Sequence, residues 1–264
     1  MSQMNGKTGL VMGVANDRSY ATHIARSLHN AGATIGFAHL PGEKNERRTR
    51  KAVESLGISD PWLAPCDASN DEDIAGIFES FASAHDGKMD FFVHSIAFAD
   101  REWLRPGNFH QTPREAYLSA IDVSAYTLAA CARHALPLMK NAGGGSIIAM
   151  SYYGSEKIVP GYNVMGVAKA ALESTGRYLA AELGEHNIRV NTISGGPLKT
   201  LASSAVGGID VMLDQTPKFA PLKRNVEGRE VGDTALFLLS DLGSGITAQN
   251  IYVDCGVSSV GAAV

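Results

Sequence analysis

The chain is poor in cysteine, and the three that it has are far apart. Cys66, Cys131 and Cys255 are an odd number with no C-x-x-C pair, so neither a disulfide framework nor a zinc site is expected. Free thiols are typical of a reducing compartment. We therefore expect a cytoplasmic protein.

Long apolar runs and an excess of positive charge are also missing. No run reaches the roughly 18 apolar residues of a membrane-spanning helix, and the apolar run near the N-terminus is short and broken by Gly13, unlike a signal peptide. The formal net charge of −4 does not favour binding to nucleic acid or to an anionic membrane. We expect no membrane, no nucleic-acid partner and no metal.

The chain does have enough apolar residues for a large core. It has 264 residues, of which 45% are hydrophobic and 19% charged, and 28 glycines. This composition excludes wholesale disorder, and the length suits one large α/β domain over residues 1–264. The glycines suit a fold with many tight turns between strands and helices.

Short apolar runs alternate with helical patterns along the whole sequence. The predicted strands are residues 8–13, 34–39, 62–66, 89–96, 146–151, 189–194 and 251–254. The predicted helices are residues 21–31, 46–56, 71–85, 114–140, 164–186 and 229–239. Repeated strand–helix–strand order implies right-handed crossovers. The expected fold class is therefore α/β, a Rossmann-type doubly wound parallel sheet of about seven strands with helices on both faces.

Residues 195–227 break this alternation, since they hold three prolines and no strand pattern. The segment is either a substrate-binding lid or a surface excursion. It follows a predicted strand, and ligands of open parallel sheets bind beyond the carboxyl ends of the strands. That position favours the lid.

The turn after the first strand is a candidate dinucleotide site, although the G-x-G-x-x-G fingerprint is absent. Such a site needs a sharp turn and free N–H groups at a helix start. Gly13 can supply the turn, and Ser19 with the N–H of Tyr20 can supply donors. The alternative is an ordinary loop with a serine cap.

Small and polar residues also follow later strands. Asp67 and Ala68 come after the third strand, where the carboxylate could accept a hydrogen bond from the adenine amino group or simply cap a turn. Ser95 and Ile96 close the fourth strand. Because these residues all lie at the ends of successive strands, together they favour a dinucleotide site more strongly than any one of them does alone.

The end of the second strand bears on the choice between NADH and NADPH. An acidic residue there would bind the ribose diol and repel a 2′-phosphate. None is present beside Leu40, whereas Lys44, Arg47 and Arg48 follow closely. These basic residues equally suit the solvated face of a helix, so the sequence itself does not choose between the cofactors.

Two tyrosine–lysine pairs compete for the catalytic role. Tyr153 and Lys157 have the Tyr-x3-Lys spacing of ordinary short-chain dehydrogenases, whereas Tyr162 and Lys169 are seven residues apart. Gly154 and the Pro-Gly pair after Val159 oppose a helix around the first pair. The second pair opens an alanine-rich helical segment, where seven residues return a side chain almost to the same face, about 10.5 Å along the axis.

The longer spacing suits enoyl reduction. Hydride added at the β-carbon of an enoyl thioester places negative charge on an oxygen two carbons away. A phenol displaced from the nicotinamide can stabilise that oxygen, and such a donor is worth about 2.7–4 kcal/mol.

Several motifs along nearly the whole chain resemble the enoyl-[acyl-carrier-protein] reductases of bacterial fatty-acid synthesis, in the short-chain dehydrogenase/reductase superfamily. They are GVANDRSYA, CDA, HSIAFA, the set Tyr152, Tyr162 and Lys169, RVNTISGGPLKTLA, and VDCG. The chain departs from the commonest pattern at Leu40, where glutamine is frequent, at Tyr153, where an aliphatic residue is usual, and at Cys255, where glycine is common.

The resemblance implies roles for individual residues. Tyr162 would hydrogen-bond the thioester carbonyl, Tyr152 would line the same pocket and assist proton delivery, and Lys169 would bind the nicotinamide ribose. Ala99 would border the acyl substrate. The implied cofactor contacts are Gly13, Ser19, Tyr20, Leu40, Asp67, Ala68, Ser95, Ile96, Lys169, Leu198, Lys199, Thr200, Leu201 and Ala202.

The resemblance further implies a homotetramer that uses NADH and acts on acyl-carrier-protein thioesters. The carrier is acidic, so Lys199, Lys218, Lys223 and Arg224 near the lid are candidates for docking it, or else are scattered surface charges. Two other functions remain open at this point: a carbonyl or hydroxyl dehydrogenase that uses Tyr153 and Lys157, and a non-catalytic dinucleotide-binding scaffold.

Overall fold

The computed structural model describes residues 3–200 and 209–261. In these ranges the strands are β1 (Thr8–Met12), β2 (Thr34–His39), β3 (Trp62–Pro65), β4 (Phe91–His94), β5 (Gly145–Ser151), β6 (Ile188–Gly195) and β7 (Asn250–Val253). They form a seven-stranded sheet in the order β3-β2-β1-β4-β5-β6-β7. All six neighbouring pairs are parallel. The predicted fold class is confirmed.

The helices connect the strands as crossovers. In the described ranges they are α1 (Tyr20–Asn30), α2 (Glu43–Glu54), α3 (Asp71–Ala84), α4 (Arg114–Ile121), α5 (Thr127–Ala142), α6 (Asn163–Leu183), α7 (Ile209–Phe219) and α8 (Gly228–Leu239). Local sequence explains several of their starts. Asn70, for example, accepts hydrogen bonds from the N–H groups of Glu72 and Asp73 and so caps α3.

Two apolar layers cover the two faces of the sheet. Consecutive strand residues point to opposite faces, so Val11 of β1 packs into a layer with α1, α2 and α8, while its neighbour Leu10 packs into a layer with α3, α5 and α6. The central strands are therefore apolar on both faces. This explains why their sequences read as continuous apolar runs instead of alternating ones.

The predicted single helix over residues 114–140 is wrong in one respect. A π-helical turn, Asp122–Tyr126, separates α4 from α5. Within this turn Ser124 Oγ accepts a hydrogen bond from Phe98 N (3.0 Å) and donates one to Phe98 O (3.1 Å). The change from α-helix to π-helix thus coincides with a tertiary contact to the loop after β4. Apolar residues repeating every 3.6 positions in the sequence do not reveal such a change.

The segment over residues 195–227 also differs from expectation, because it contains the helix α7. Its apolar periodicity is short and is crossed by Pro217, and for this reason the sequence did not indicate a helix. Residues 201–208 lie outside the described part of the chain. Among the described residues, no helix combines the length and apolar character needed to span a bilayer.

Candidate active site

The crevice between β1 and β4 lies where the strand order reverses, which is the usual ligand position in such sheets. Gly13 follows β1 with φ of +104°, and a Cβ atom built on it would lie only 2.1 Å from Ser95 O. Ser95 N in turn donates to Met12 O at 3.1 Å. Backbone from the two strand ends therefore touches here, and only glycine fits at position 13.

The start of α1 faces this crevice. Ser19 Oγ accepts from Thr22 N at 3.2 Å and lies 2.7 Å from Thr22 Oγ1. Ser19 is thus the helix cap, one of its two expected roles. The N–H groups of Tyr20 and Ala21 belong to the first turn, where no intrahelical acceptor exists. These amides, beside the tight turn that Gly13 allows, fit a dinucleotide pyrophosphate.

The side chain of Tyr20 reaches across to the end of β6. Its hydroxyl donates to Gly196 O, and a Cβ atom on Gly195 would lie 2.8 Å from the tyrosine ring. Burial, together with the nearby Asp254 carboxylate, raises the pKa of Tyr20. The phenol therefore stays protonated and ties the cofactor turn to the strand that carries the proposed lid.

Other predicted cofactor residues follow the same edge of the sheet. Leu40 lies one residue beyond β2 and is 57% exposed. Asp67 Oδ1 accepts from Ser69 N (3.0 Å) and Ser69 Oγ (2.7 Å), and these bonds lower the pKa of Asp67. Asp67 therefore shapes the turn after β3. Ala68 beside it is buried, and Ile96 stands two residues beyond β4.

The residues after β6 are only partly described. Leu198 is half-buried, Lys199 is exposed and Thr200 is buried. The ammonium of Lys199 lies 2.6 Å from Asp210 Oδ1 at the start of α7. The predicted contacts at Leu201 and Ala202 lie outside the described residues.

The two candidate catalytic tyrosines lie side by side. The ring centroids of Tyr152 and Tyr162 are 4.8 Å apart, with 65° between the planes, and the Tyr153 ring also packs against Tyr152, at 4.7 Å. Tyr162 and Ala99 both pack against an apolar cluster that contains Leu104 and Met165. One catalytic tyrosine and the residue predicted to border the acyl chain therefore share an apolar neighbourhood.

Glycines permit this close packing. A Cβ atom on Gly154 would lie 2.5 Å from the Tyr162 ring, and one on Gly166 would lie 2.5 Å from Gly154 O. The turn that carries Tyr152 thus rests directly on the first turns of α6. A side chain at either glycine would push the two tyrosines apart.

Electrostatics keep both phenols protonated. Burial is the main cause that raises the pKa of Tyr162, with a further contribution from the charge of Glu173. Burial also raises the pKa of Tyr152, assisted by its neighbours Tyr153 and Tyr162. Near neutral pH each hydroxyl can donate a hydrogen bond, so the pair suits stabilisation of an oxyanion.

Lys169 lies two helical turns beyond Tyr162 and is 5% exposed. Its Nζ donates to Met150 O at 2.7 Å, which turns the amine toward the end of β5. Burial lowers the pKa of Lys169 from 10.5 to about 8, and the charge of Glu173 opposes that decrease. The amine is therefore a buried donor that is still mostly charged at pH 7.

The competing pair of Tyr153 and Lys157 does not form a comparable site. Tyr153 opens a short 3₁₀ turn, Tyr153–Ser155, which ends before Lys157, and Lys157 is exposed. Lys157 N donates to Tyr153 O at 2.9 Å, so a single helical turn does join the two residues. The exposure of Lys157, in contrast to the burial of Lys169, is what speaks against this pair.

Sequence reasoning missed three polar residues around the site. Glu173 is buried one turn beyond Lys169. Ser124 holds the Phe98 backbone. Asn163 adopts φ of +40° and donates from Nδ2 to Trp103 O (2.9 Å) and Arg105 O (2.8 Å). Only Glu173 had a detectable signal, since its four-residue spacing from Lys169 places both on one helix face.

The family model described as Enoyl-(Acyl carrier protein) reductase matches residues 13–258 of this chain. The chain belongs to that family. It is 51% identical over 263 residues to the NADH-dependent enoyl-[acyl-carrier-protein] reductase of Synechocystis sp., covering 99% of this chain and all of the relative. It is 45% identical over 260 residues to the NADPH-dependent enzyme of Staphylococcus aureus, covering 98% of this chain and 100% of the relative.

Solved structures agree with this assignment. The crystal structure of the Bacillus cereus enoyl-acyl carrier protein reductase with NADP+ and indole naphthyridinone matches with a TM-score of 0.94 at 46% identity, covering 99% of this chain and 100% of that chain. The Anaplasma phagocytophilum reductase in complex with NAD matches with a TM-score of 0.92 at 43% identity, covering 99% and 97%. The prediction of a nicotinamide-dependent enoyl reductase is confirmed. The comparisons favour it over the two alternatives, a carbonyl or hydroxyl dehydrogenase and a non-catalytic dinucleotide-binding scaffold.

Proposed function

We propose that the protein reduces the trans-2 double bond of enoyl-acyl-carrier-protein thioesters in fatty-acid biosynthesis, with Tyr152, Tyr162 and Lys169 as its catalytic groups. The reduced nicotinamide, when bound, supplies hydride to the β-carbon of the substrate. The single observation that carries this proposal is the contact of the Tyr152 and Tyr162 rings at 4.8 Å, at the N-terminal end of the helix that carries the buried Lys169.

Tyr162 stabilises the oxyanion of the thioester. Its raised pKa keeps the hydroxyl proton on the phenol, so the phenol donates a hydrogen bond when the enolate forms. The apolar cluster beside Ala99 and Leu104 excludes water and makes that bond stronger than it would be in solution. Tyr152 lines the same pocket and assists proton delivery to the α-carbon.

Lys169 holds the nicotinamide ribose. Its ammonium has three hydrogens, of which Met150 O accepts one. The remaining donors can reach ribose hydroxyls at the end of β5. Cofactor affinity should therefore fall as the pH rises through the pKa of Lys169, at about 8.

The remaining predicted contacts complete the cofactor site. Gly13, Ser95 and the first-turn amides of α1 receive the pyrophosphate, and the ends of β2 and β3 receive the adenosine. We propose NADH as the main cofactor, as in the relative from Synechocystis sp.. NADPH should also be accepted, because Leu40 stands at the end of β2 where a carboxylate would repel a 2′-phosphate. Parallel measurements of kcat/KM with both cofactors test this preference.

The acyl chain enters beneath a lid formed by residues 195–227. Support comes from α7, where Met212 Sδ accepts a hydrogen bond from Tyr152 Oη at 3.8 Å. The lid thus contacts a catalytic tyrosine directly. We treat residues 1–264 as one domain to which this lid belongs.

Ion pairs engage three of the four basic residues proposed to dock the acidic carrier. Lys199, Lys218 and Arg224 are paired with Asp210, Asp214 and Glu230, at 2.6, 3.1 and 2.6 Å. These ion pairs reduce the local positive charge, although Lys223 adds to it. A KM for the carrier-bound substrate that is insensitive to salt would argue against charge-driven docking.

We further propose a cytoplasmic homotetramer. Exposed apolar side chains on neighbouring helical elements support self-association: Leu118 on α4 and Tyr126 just before α5 are 56% and 38% exposed. Sedimentation at four times the protomer mass is the expected result.

The experiment that tests this function follows NADH oxidation with a short and a long trans-2-enoyl thioester, and with ketones as negative substrates. Tyr162→Phe should lower kcat by about 10²–10³-fold while the Kd of NADH stays unchanged. Tyr178→Phe, on the exposed face of the same helix, is the matched control. Ketone reduction, or full activity of Tyr162→Phe, would refute the proposed roles.

A further inference from the structure

Glu173 is a buried carboxylate that the mechanism above does not use. It lies on α6 one turn beyond Lys169 and is 6% exposed. An ionised carboxylate in such a place is costly unless hydrogen bonds or an opposite charge compensate for it. Glu173 has two such bonds: Ser151 Oγ donates to its Oε1 at 2.5 Å, and Ser155 Oγ donates to the same atom at 2.7 Å.

The two serines stand on either side of Tyr152. Ser151 is the last residue of β5, and Ser155 closes the 3₁₀ turn that follows Tyr152. A single carboxylate oxygen therefore fastens both ends of this turn to α6. The same turn rests on Gly166, so its position relative to the helix determines where the Tyr152 ring lies.

Glu173 also acts on the charges of the site. Its negative charge raises the pKa of Lys169, against the effect of burial, and raises the pKa of Tyr162. Both effects favour the protonated forms, which are the ammonium and the phenol that the proposed mechanism needs.

The other ionisable groups that interact with this region come from each packed element. They are Arg177 on α6, Glu156 after the turn, Tyr252 on β7, His94 on β4 and Tyr20 on α1. Arg177 and Glu156 are exposed, and burial lowers the pKa of His94 to about 3, so that its ring is neutral. Among the described residues, Lys169 is thus the buried cation that interacts with the Glu173 charge.

We propose that Glu173 is a positioning residue of the reductase: it holds the Tyr152 turn on α6 through Ser151 and Ser155, and its charge, one helical turn away, stabilises the buried ammonium of Lys169. This inference deepens the proposed function and rests on the roles given there to Tyr152, Tyr162 and Lys169.

The test separates the charge of Glu173 from its hydrogen bonds. Glu173→Gln keeps the shape and an acceptor oxygen but removes the charge, whereas Ser155→Ala removes one hydrogen bond and keeps the charge. Glu182→Gln, an exposed position on the same helix, is the matched control. For each variant we would measure kcat and the Kd of NADH between pH 6 and about 10, by cofactor fluorescence, across the range in which a lysine with a lowered pKa titrates.

In Glu173→Gln the pH at which NADH affinity declines should fall by about one unit or more, as expected for loss of a charge one helical turn away. The Kd at pH 8 should then rise several-fold. In Ser155→Ala kcat should fall severalfold while the pH profile of NADH binding stays as in the wild type. Glu182→Gln should match the wild type in both measurements.

Two results would overturn the inference. A wild-type pH profile in folded Glu173→Gln refutes the electrostatic role, and wild-type kcat in both Ser151→Ala and Ser155→Ala refutes the positioning role. The serine variants also carry the test if Glu173→Gln does not fold. A separate measurement tests the role of Lys169 on which this inference rests. If Lys169 does not bind the nicotinamide ribose, Lys169→Met should bind NADH as tightly as the wild type does.

Discussion

Replacing Lys169 with methionine should make the protein more stable while it weakens cofactor binding. Lys169 is almost fully buried, and its Nζ has Met150 O as its hydrogen-bond acceptor. Burial of the ammonium lowers its pKa from 10.5 to about 8. Methionine has a similar length and carries no charge, so this penalty disappears.

The magnitude follows from the pKa. At about 1.4 kcal/mol per pKa unit, the decrease from 10.5 to about 8 corresponds to about 3 kcal/mol. Below pH 8 Lys169 is protonated in both the folded and the unfolded state, so the wild type bears the full cost of burying the ammonium. Between pH 8 and 10.5 Lys169 keeps its proton only in the unfolded state, and the stability of the wild type therefore rises with pH.

Urea denaturation at pH 7 and at pH 9.5 measures the effect. We expect Lys169→Met to be more stable at pH 7 by up to about 3 kcal/mol, an upper value because Met150 O loses its donor. The advantage should shrink at pH 9.5. Lys140→Met, at an exposed position on α5, is the control and should change stability little at either pH.

The reasoning is refuted if Lys169→Met is no more stable than the wild type at pH 7. It is equally refuted if the difference in stability between the two proteins is the same at pH 7 and pH 9.5. In either case the lysine would not bear the cost of burial on which the argument depends.

Two further predictions follow from single contacts. Gly13→Ala should abolish NADH binding, because the alanine Cβ at position 13 would lie 2.1 Å from Ser95 O. Fluorescence titration measures the affinity, and binding at wild-type affinity would contradict the proposed pyrophosphate site. Asn163→Gly should raise the KM for enoyl thioesters severalfold without changing the Kd of NADH, because the hydrogen bonds to Trp103 O and Arg105 O are lost while the positive φ is retained. An unchanged KM would show that this loop does not shape the acyl pocket.

Periodicity and strand–helix order were sufficient to predict the architecture. Continuous apolar runs such as Phe91–His94 indicate strands buried on both faces, and the crossover rule then leaves few topologies. The segment boundaries differ from the structure by a few residues at most. The π-turn at Ser124 and the helix α7 were missed, because tertiary contacts and a proline obscure their local patterns.

For the site, the sequence alone determined which chemical groups are available and on which helix they lie. The alanine-rich pattern placed Lys169 on α6, because helical geometry is local, and Tyr162 lies at the N-cap of that helix. The tertiary structure decided what surrounds them. The contact of Tyr152 with Tyr162, the burial that lowers the pKa of Lys169, and the reach of Glu173 to two serines all join residues from different elements. Local sequence patterns carry no information about such distances, since packing between elements sets them.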